Sequence, residues 1–296
     1  MIDFITVVFR QELFYLEIQA RSIEQYIDLN KIGTIFVVVN DVESVCSLVN
    51  TDWWGINQHK VKVIWAESFG RTDFLDGWAS QQYYKLATAN IADSKWSACL
   101  DAKTWFVRKL DFDLLFEQDG RVKLKSFPTI PVFRPAEKAV NEFFGIDSKQ
   151  VIGPGGVPFL FNTEEMHLLV EYLEQRKTNL FEYFIQAVQH PTLITEFMFY
   201  SGWIAYRHGD HSTLYSSDQY YTVTNIADFE VEDFENLFKK MLQEQNLTAS
   251  IHRRVYPMLS RQQLETWVDF LRSKNLLENL NSDLIMAELL NTANVE

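Results

Sequence analysis

The stretch at residues 96–110, WSACLDAKTWFVRKL, constrains this chain most. An apolar run, Ala98-Cys99-Leu100, ends on Asp101, Lys103 follows two residues later, and a second apolar run begins at Trp105. A buried strand that closes on a carboxylate puts it at the carboxyl edge of a sheet, the edge where open α/β sheets bind their ligands. Three earlier segments read as strands of the same kind. Residues 4–9 (FITVVF) are β-branched and aromatic, and residues 34–39 (TIFVVV) form the continuous apolar run of a strand covered on both faces, stopping at Asn40-Asp41. Residues 61–65 (VKVIW) run on to Glu67-Ser68. Between the first two runs, Leu13, Leu16, Ile18, Ile23, Tyr26 and Ile27 recur at roughly helical spacing. This alternation predicts an α/β fold with a parallel, doubly wound sheet.

With 296 residues and 47% hydrophobic content, the chain can bury a large core. Its net charge of -13, with no run rich in lysine or arginine, excludes the electrostatic footprint of a nucleic-acid binder, yet leaves room for a local basic patch that holds a phosphate. Cys46 and Cys99 are distant in sequence and offer neither a disulfide framework nor metal-ligand spacing, which predicts a reducing, cytoplasmic setting. The first apolar run spans about six residues and has no basic leader, so it reads as a strand and not as a signal peptide or transmembrane segment.

Residues 77–87 (GWASQQYYKLA) place Trp78, Gln82 and Lys85 on one helical face, which is either solvated or turned toward a ligand. Beyond residue 110 the pattern predicts a short helix and turn over 111–121. An edge strand is expected over 128–134 (PTIPVFR), whose prolines cannot donate to a ladder, and a helix over 137–149. The loop at 153–158 (GPGGVP) leads into a short strand ending at Asn162. Gly155 and Gly156 would admit a ligand to the backbone, although the loop lacks any phosphate-binding pattern and also reads as a tight connection. Thr163 is the expected cap of the next helix, with Glu164 and Glu165 in its first turn.

Helices are also expected over 181–188 and from residue 191. Glu196 there, among bulky apolar residues, is either an exposed first-turn acid or a carboxylate whose pKa is raised in a pocket, as suits a base or a hydrogen-bond anchor. Residues 206–211 (YRHGDH) hold two histidines and an aspartate, but without the helical or strand spacing of a metal box. An amphipathic helix over 231–245 precedes a strand at 248–251 that runs into His252-Arg253-Arg254, either a diphosphate clamp or an exposed basic turn. Ser260 and Gln263 have the capping-box spacing. Trp53, Trp54 and Trp203 are candidate platforms for sugar rings.

The order FITVVF, TIFVVVND, VKVIWAES, GWASQQYYKLATANI, WSACLDAKTWFVR resembles the nucleotide-binding half of the GT-A glycosyltransferases. It lies nearest to a little-characterised bacterial and viral group, over roughly residues 3–110 and more loosely in TEFMFYSG and SIHRR. The resemblance implies a GT-A-like, mixed but mainly parallel sheet flanked by helices. It implies a catalytic domain over 1–225, with a nucleotide-binding half (1–110) and an acceptor half (111–225), and a helical C-terminal extension over 226–296 packed on it. The implied partners are a nucleotide-sugar donor and a glycan or other hydroxyl acceptor, in building a surface polysaccharide or a viral decoration.

In the GT-A fold an Asp-x-Asp motif holds a divalent metal against the donor diphosphate. The matching triplet here is Asp101-Ala102-Lys103, with an amine in place of the second carboxylate. Mg²⁺ or Mn²⁺ would lose a ligand and meet a like charge. The expectation is therefore that Lys103, Lys85, His252 and Arg254 supply the positive charge and that metal is dispensable or weakly bound. Any bound metal would take Asp101 and His252. By position, Asp41 would contact the base or ribose and Asp101 the ribose, while Gln82 and Lys85 would face the donor. Glu196 would serve the acceptor hydroxyl as a base, with Gly155 and Gly156 on the acceptor side. Asp101, Lys103 and Glu196 are thus the expected catalytic residues. Two other functions stay open: a GT-A-fold module that binds a nucleotide or sugar without chemistry, and a sugar nucleotidyltransferase, against which the absence of glycine in FITVVFRQEL counts.

Overall fold

A computed structural model describes residues 1–70, 77–124, 129, 131–147, 157–183, 195–217, 222–226, 233–277 and 281–291. The apolar runs form the strands the sequence predicts. β1 (Ile2–Val8), β2 (Ile32–Val39), β3 (Val61–Trp65) and β4 (Trp96–Asp101) lie parallel in the order β3-β2-β1-β4, and β7 (Phe159–Asn162) closes the sheet antiparallel to β4. Every residue of β1 is buried, as a central strand covered on both faces requires. α1 (Leu13–Tyr26) connects β1 to β2, 3-10 segments connect β2 to β3, and α2 (Gly77–Ala89) precedes β4. The strand order reverses at β1, so the crevice between the carboxyl ends of β1 and β4 is where a ligand is expected.

A second sheet brings the distant part of the chain to that edge. β5 (Thr104–Phe106) follows β4 after a two-residue turn and pairs antiparallel with β10 (Asn246–Ile251), which pairs parallel with β9 (Thr222–Ile226). Thr104 stands opposite Ser250. Antiparallel pairing therefore sets the start of β5, next to Lys103, beside the end of β10, from which His252 follows. Smaller elements between the sheets are α3 (Phe112–Leu115), β6 (Val122–Lys123) paired with β8 (Tyr215–Ser216), α4 (Arg134–Phe144), α5 (Thr163–Gln175) and α6 (Glu196–His208). The chain ends in α7 (Phe234–Met241), α8 (Arg261–Ser273) and α9 (Ser282–Asn291). Trp267 of α8 stacks 5.6 Å from Trp105 of β5, and the buried side chains of both sheets form one core. The tail is thus more than a helical extension: its strand β10 is central to the second sheet.

Three local expectations change. Residues 131–133 are a 3-10 turn and Arg134 opens α4, because Pro135 fits a helix's first turn, where its missing N–H is not needed. Asn162 rather than Thr163 caps α5, its side chain accepting from Glu165 N at 3.2 Å. α6 runs on through His208 to Gly209, whose φ of 79° ends it. Among the described residues no helix is long and apolar enough to cross a membrane.

Buried Asp3 fastens the amino edge of the sheet. Its carboxylate accepts from Thr34 N (2.6 Å), Asp93 N and Ser94 N (both 2.9 Å) and Ser94 Oγ (2.8 Å), tying the start of β1 to the start of β2 and to the approach to β4. Gly33 leaves room for it, since a Cβ there would sit 2.1 Å from Asp3 Oδ1 and 2.4 Å from Ser94 Oγ. Gly33→Ala should displace the carboxylate and cost about 1–3 kcal/mol in urea unfolding, the range for stranding buried hydrogen-bonding groups. A variant as stable as the wild type would show that the edge relaxes freely.

Candidate active site

The turn between β4 and β5 is held from behind by α1. Gln19, fully buried, accepts from Thr6 Oγ1 (2.6 Å) and donates through Nε2 to the carbonyls of Asp101 (2.7 Å) and Thr104 (3.0 Å). One amide thus clasps both ends of the Asp101-Ala102-Lys103 turn and joins it to β1. Ser22, one turn along α1, accepts from Phe106 N at 3.1 Å, and Trp105 Nε1 donates to Tyr15 O at 3.0 Å. The backbone has little freedom there, so the side chains of Asp101 and Lys103 leave it in fixed directions.

Those side chains begin a chain of four alternating charges. Lys103 Nζ donates to Asp101 Oδ2 at 3.1 Å, and Lys85 Nζ on α2 donates to Asp101 Oδ1 at 2.8 Å. Lys85 Nζ also lies 2.8 Å from Glu196 Oε1, a charge contact without hydrogen-bond alignment, so Glu196 Oε1 has no directed partner among the described residues. Side-chain exposure is greater in the outer pair, 28% for Asp101 and 20% for Lys103, than in the inner pair, 5% for Lys85 and 2% for Glu196. Burial opposes the charge on Asp101, yet Lys103 and Lys85 together hold its carboxyl far below the usual carboxylate range. Lys85 keeps its proton well past the ordinary amine range because Asp101 and Glu196 outweigh its own burial. Glu196 goes the other way: burial pushes its pKa up, against the pull of Lys85.

On the open side of this turn lies a cleft of about 620 Å³ lined by Phe9, Gln11, Glu12 and Tyr15 from the end of β1 and the start of α1, and by Gly77, Trp78 and Gln81 from the start of α2. Its remaining wall is basic, with Lys103, Arg253 and Arg254 beside the His252 imidazole. Trp78 is 40% exposed at the rim.

The expected residues divide accordingly. Lys103, His252 and Arg254 meet in the cleft, and Asp101 stands directly behind Lys103. Asp41 sits at the same sheet edge but outside the lining, its carboxylate accepting from Arg10 N (3.2 Å) and Val42 N (2.7 Å). Gln82 lies outside the lining of this cleft: it is buried, donates to Trp78 O (3.1 Å) and accepts from Glu196 N (3.4 Å), joining α2 to α6. Lys85 and Glu196 are sealed beneath the surface. Gly155 and Gly156 lie outside the described residues. Trp54 and Trp203 are buried core, so they offer no sugar platform. His208 bonds Glu165 Oε1 (2.9 Å) and His211 bonds Ser201 (2.9 Å to Oγ), which accounts for both histidines of the 206–211 cluster.

Sequence reasoning missed Glu12, Tyr15 and Gln81, while Arg253, part of the basic segment it named, joins Arg254 in the cleft. Glu12 and Tyr15 lie in the turn and helix that follow β1, so the strand end at Val8 points toward them without marking either. Both carboxylate oxygens of Asp101 are taken by ammonium groups, and no grouping of three or more His, Cys, Asp or Glu side chains among the described residues is arranged to hold an ion.

The charge chain makes Lys85 the residue least tolerant of neutralisation. Lys85→Met should lower stability by about 3–5 kcal/mol in chemical denaturation, as for the breaking of a buried ion pair. Adding Glu196→Gln should restore part of that loss by removing the stranded carboxylate. A double variant less stable than the single one would contradict the pairing.

The sequence matches no curated protein at a significant level. Among solved structures, the chain is similar to the galactosyltransferase LgtC in complex with donor and acceptor sugar analogues, at 13% identity and TM-score 0.48 over 96% of this chain and 99% of that one. It is similar to an active-site mutant of LgtC at 14% identity and TM-score 0.49 over 96% and 99%. WbbM, a bifunctional glycosyltransferase in its apo form, matches at 11% identity and TM-score 0.53, over 97% of this chain and 51% of that one. The WbbM likeness shows the fold, a GT-A-like sheet flanked by helices, as the sequence resemblance implied. Across residues 8–273 the sequence matches the model of the family of unknown function DUF6492, and the chain belongs to that family.

Proposed function

We propose that the chain transfers a sugar from a nucleotide-sugar donor to a hydroxyl of a glycan or other acceptor. The observation that carries this reading is the gathering of Lys103, His252, Arg253 and Arg254 in one cleft at the carboxyl edge of a GT-A-like sheet, in a protein whose net charge is -13. Such a cluster concentrates positive potential where a diphosphate would lie and would stabilise the charge that develops on it as the sugar departs. Arg253 and Arg254 supply forked donors that match phosphate oxygens, and Lys103 is a point charge aimed by Asp101. Trp78, exposed at the rim, gives a flat surface against which a base or a sugar ring can pack.

In this reading the protein's own cations do the work that a metal does elsewhere in the fold, and Asp101 serves to orient Lys103. Glu196 acts as a buried counter-charge to Lys85 and not as the acceptor's base. A second reading, a binding module without chemistry, is favoured by the same fact, since it removes from the cleft the acid expected on the acceptor side.

Two measurements follow. In a thermal-melt screen, one UDP-, GDP- or CMP-sugar should stabilise the protein by about 2.7 kcal/mol at a hundred times its dissociation constant. A flat response across all of them would remove the donor from the account. Donor hydrolysis or transfer should then persist in excess EDTA. Complete loss restored by Mn²⁺ would refute the metal-free form of the reading, whereas binding without any turnover would favour the module.

A further inference from the structure

Glu12 is the one carboxylate among the described residues that line the cleft. It closes the 3-10 turn after β1, with its Oε2 accepting from Phe9 N at 3.3 Å. Charged and titratable groups face it across the cleft: Asp101 and Lys103 from the turn after β4, and His252, Arg253 and Arg254 from the segment after β10, with the Tyr15 phenol on α1. Burial raises its pKa. Lys103, the Phe9 amide and Arg253 oppose that rise, and Asp101 adds to it.

An anion drawn in by Lys103, Arg253 and Arg254 therefore meets a carboxylate already in place. Two negative groups sharing a partly buried site repel, and the system lowers its energy when one of them takes a proton. The carboxyl oxygen not bonded to Phe9 is the one that can carry it.

We propose that Glu12 takes up a proton when a nucleoside diphosphate enters the cleft and, as the neutral acid, donates that O–H to a phosphate oxygen. The proposal rests on the donor-binding reading above and assigns a role to a residue that reading leaves unused. The proton comes from solvent, and the only bond made is the O–H of the carboxyl group. Binding is then linked to one proton, so above the titration of the free enzyme's Glu12 the dissociation constant should rise about tenfold per pH unit. His252 faces the same cleft and can add a proton of its own, so the two contributions must be separated by substitution.

The test is isothermal titration calorimetry of the full chain with UDP and with GDP, from about pH 6 to pH 8, in pairs of buffers that differ in ionisation enthalpy. Wild type and His252→Asn should both take up a proton that Glu12→Gln does not. Glu12→Gln should bind as tightly as wild type or more so at the upper end of the range, with a flatter pH dependence. Circular dichroism of each variant checks that the fold is kept, and the wild-type and His252→Asn titrations decide the matter even if Glu12→Gln is unstable, because proton uptake missing from His252→Asn would overturn the proposal. Equal proton uptake in wild type and Glu12→Gln would overturn it too. So would a loss of binding of tenfold or more in Glu12→Gln at every pH, the sign of an ionised carboxylate accepting from sugar hydroxyls. If neither nucleotide binds wild type, the donor reading itself fails; binding without a Glu12-linked proton overturns this proposal alone.

Discussion

The site depends on a single carboxylate held between two ammonium groups. Asp101 ends the last parallel strand of the sheet, Gln19 fixes its carbonyl, and Lys85 and Lys103 each occupy one of its oxygens. A buried charge is tolerated only when paired and hydrogen-bonded. Here the pairing extends in both directions, inward through Lys85 to Glu196 and outward to Lys103 at the cleft. The inner end couples the sheet to the first turn of α6, so the packing of α2 against α6 and the aim of Lys103 are parts of one electrostatic arrangement.

The same arrangement supports the proposal of a metal-free site, since both oxygens of Asp101 are engaged by ammonium groups. The cationic wall supplied by Lys103 and the segment after β10 offers a diphosphate the charge that an ion would bring. What sets that wall in place is strand pairing: β5 lies antiparallel to β10, and the two strands deliver Lys103 and His252 to adjacent positions from opposite ends of the chain.

Much of the fold was legible in the sequence because β1, β2 and β4 are continuous apolar runs with polar ends, a pattern that only a doubly covered parallel strand needs. The pairing of β5, β9 and β10 was not, since segments of three to six residues joined across the chain leave no local pattern. At the site, Lys103, His252 and Arg254 could be found because each directly follows a strand. Gln82 and Lys85 were harder to place, for a physical reason. A polar stripe on a helix looks the same in sequence whether it faces solvent, a ligand or another helix, and here α6 covers it. Glu196 combines parts of the two readings allowed for it: it is a first-turn acid, and it is buried with a raised pKa beside Lys85. Glu12 went unnoticed because its role comes from what converges on it across the cleft.

The most direct measurement of the central claim is a crystal structure of the protein soaked with a nucleoside diphosphate and Mn²⁺, with anomalous data collected near the manganese edge. The account predicts phosphates within hydrogen-bonding distance of Lys103 and Arg254, with Asp101 still bridging Lys85 and Lys103 and no anomalous peak beside it. A manganese peak on Asp101, with Lys85 or Lys103 displaced from its oxygens, would contradict it.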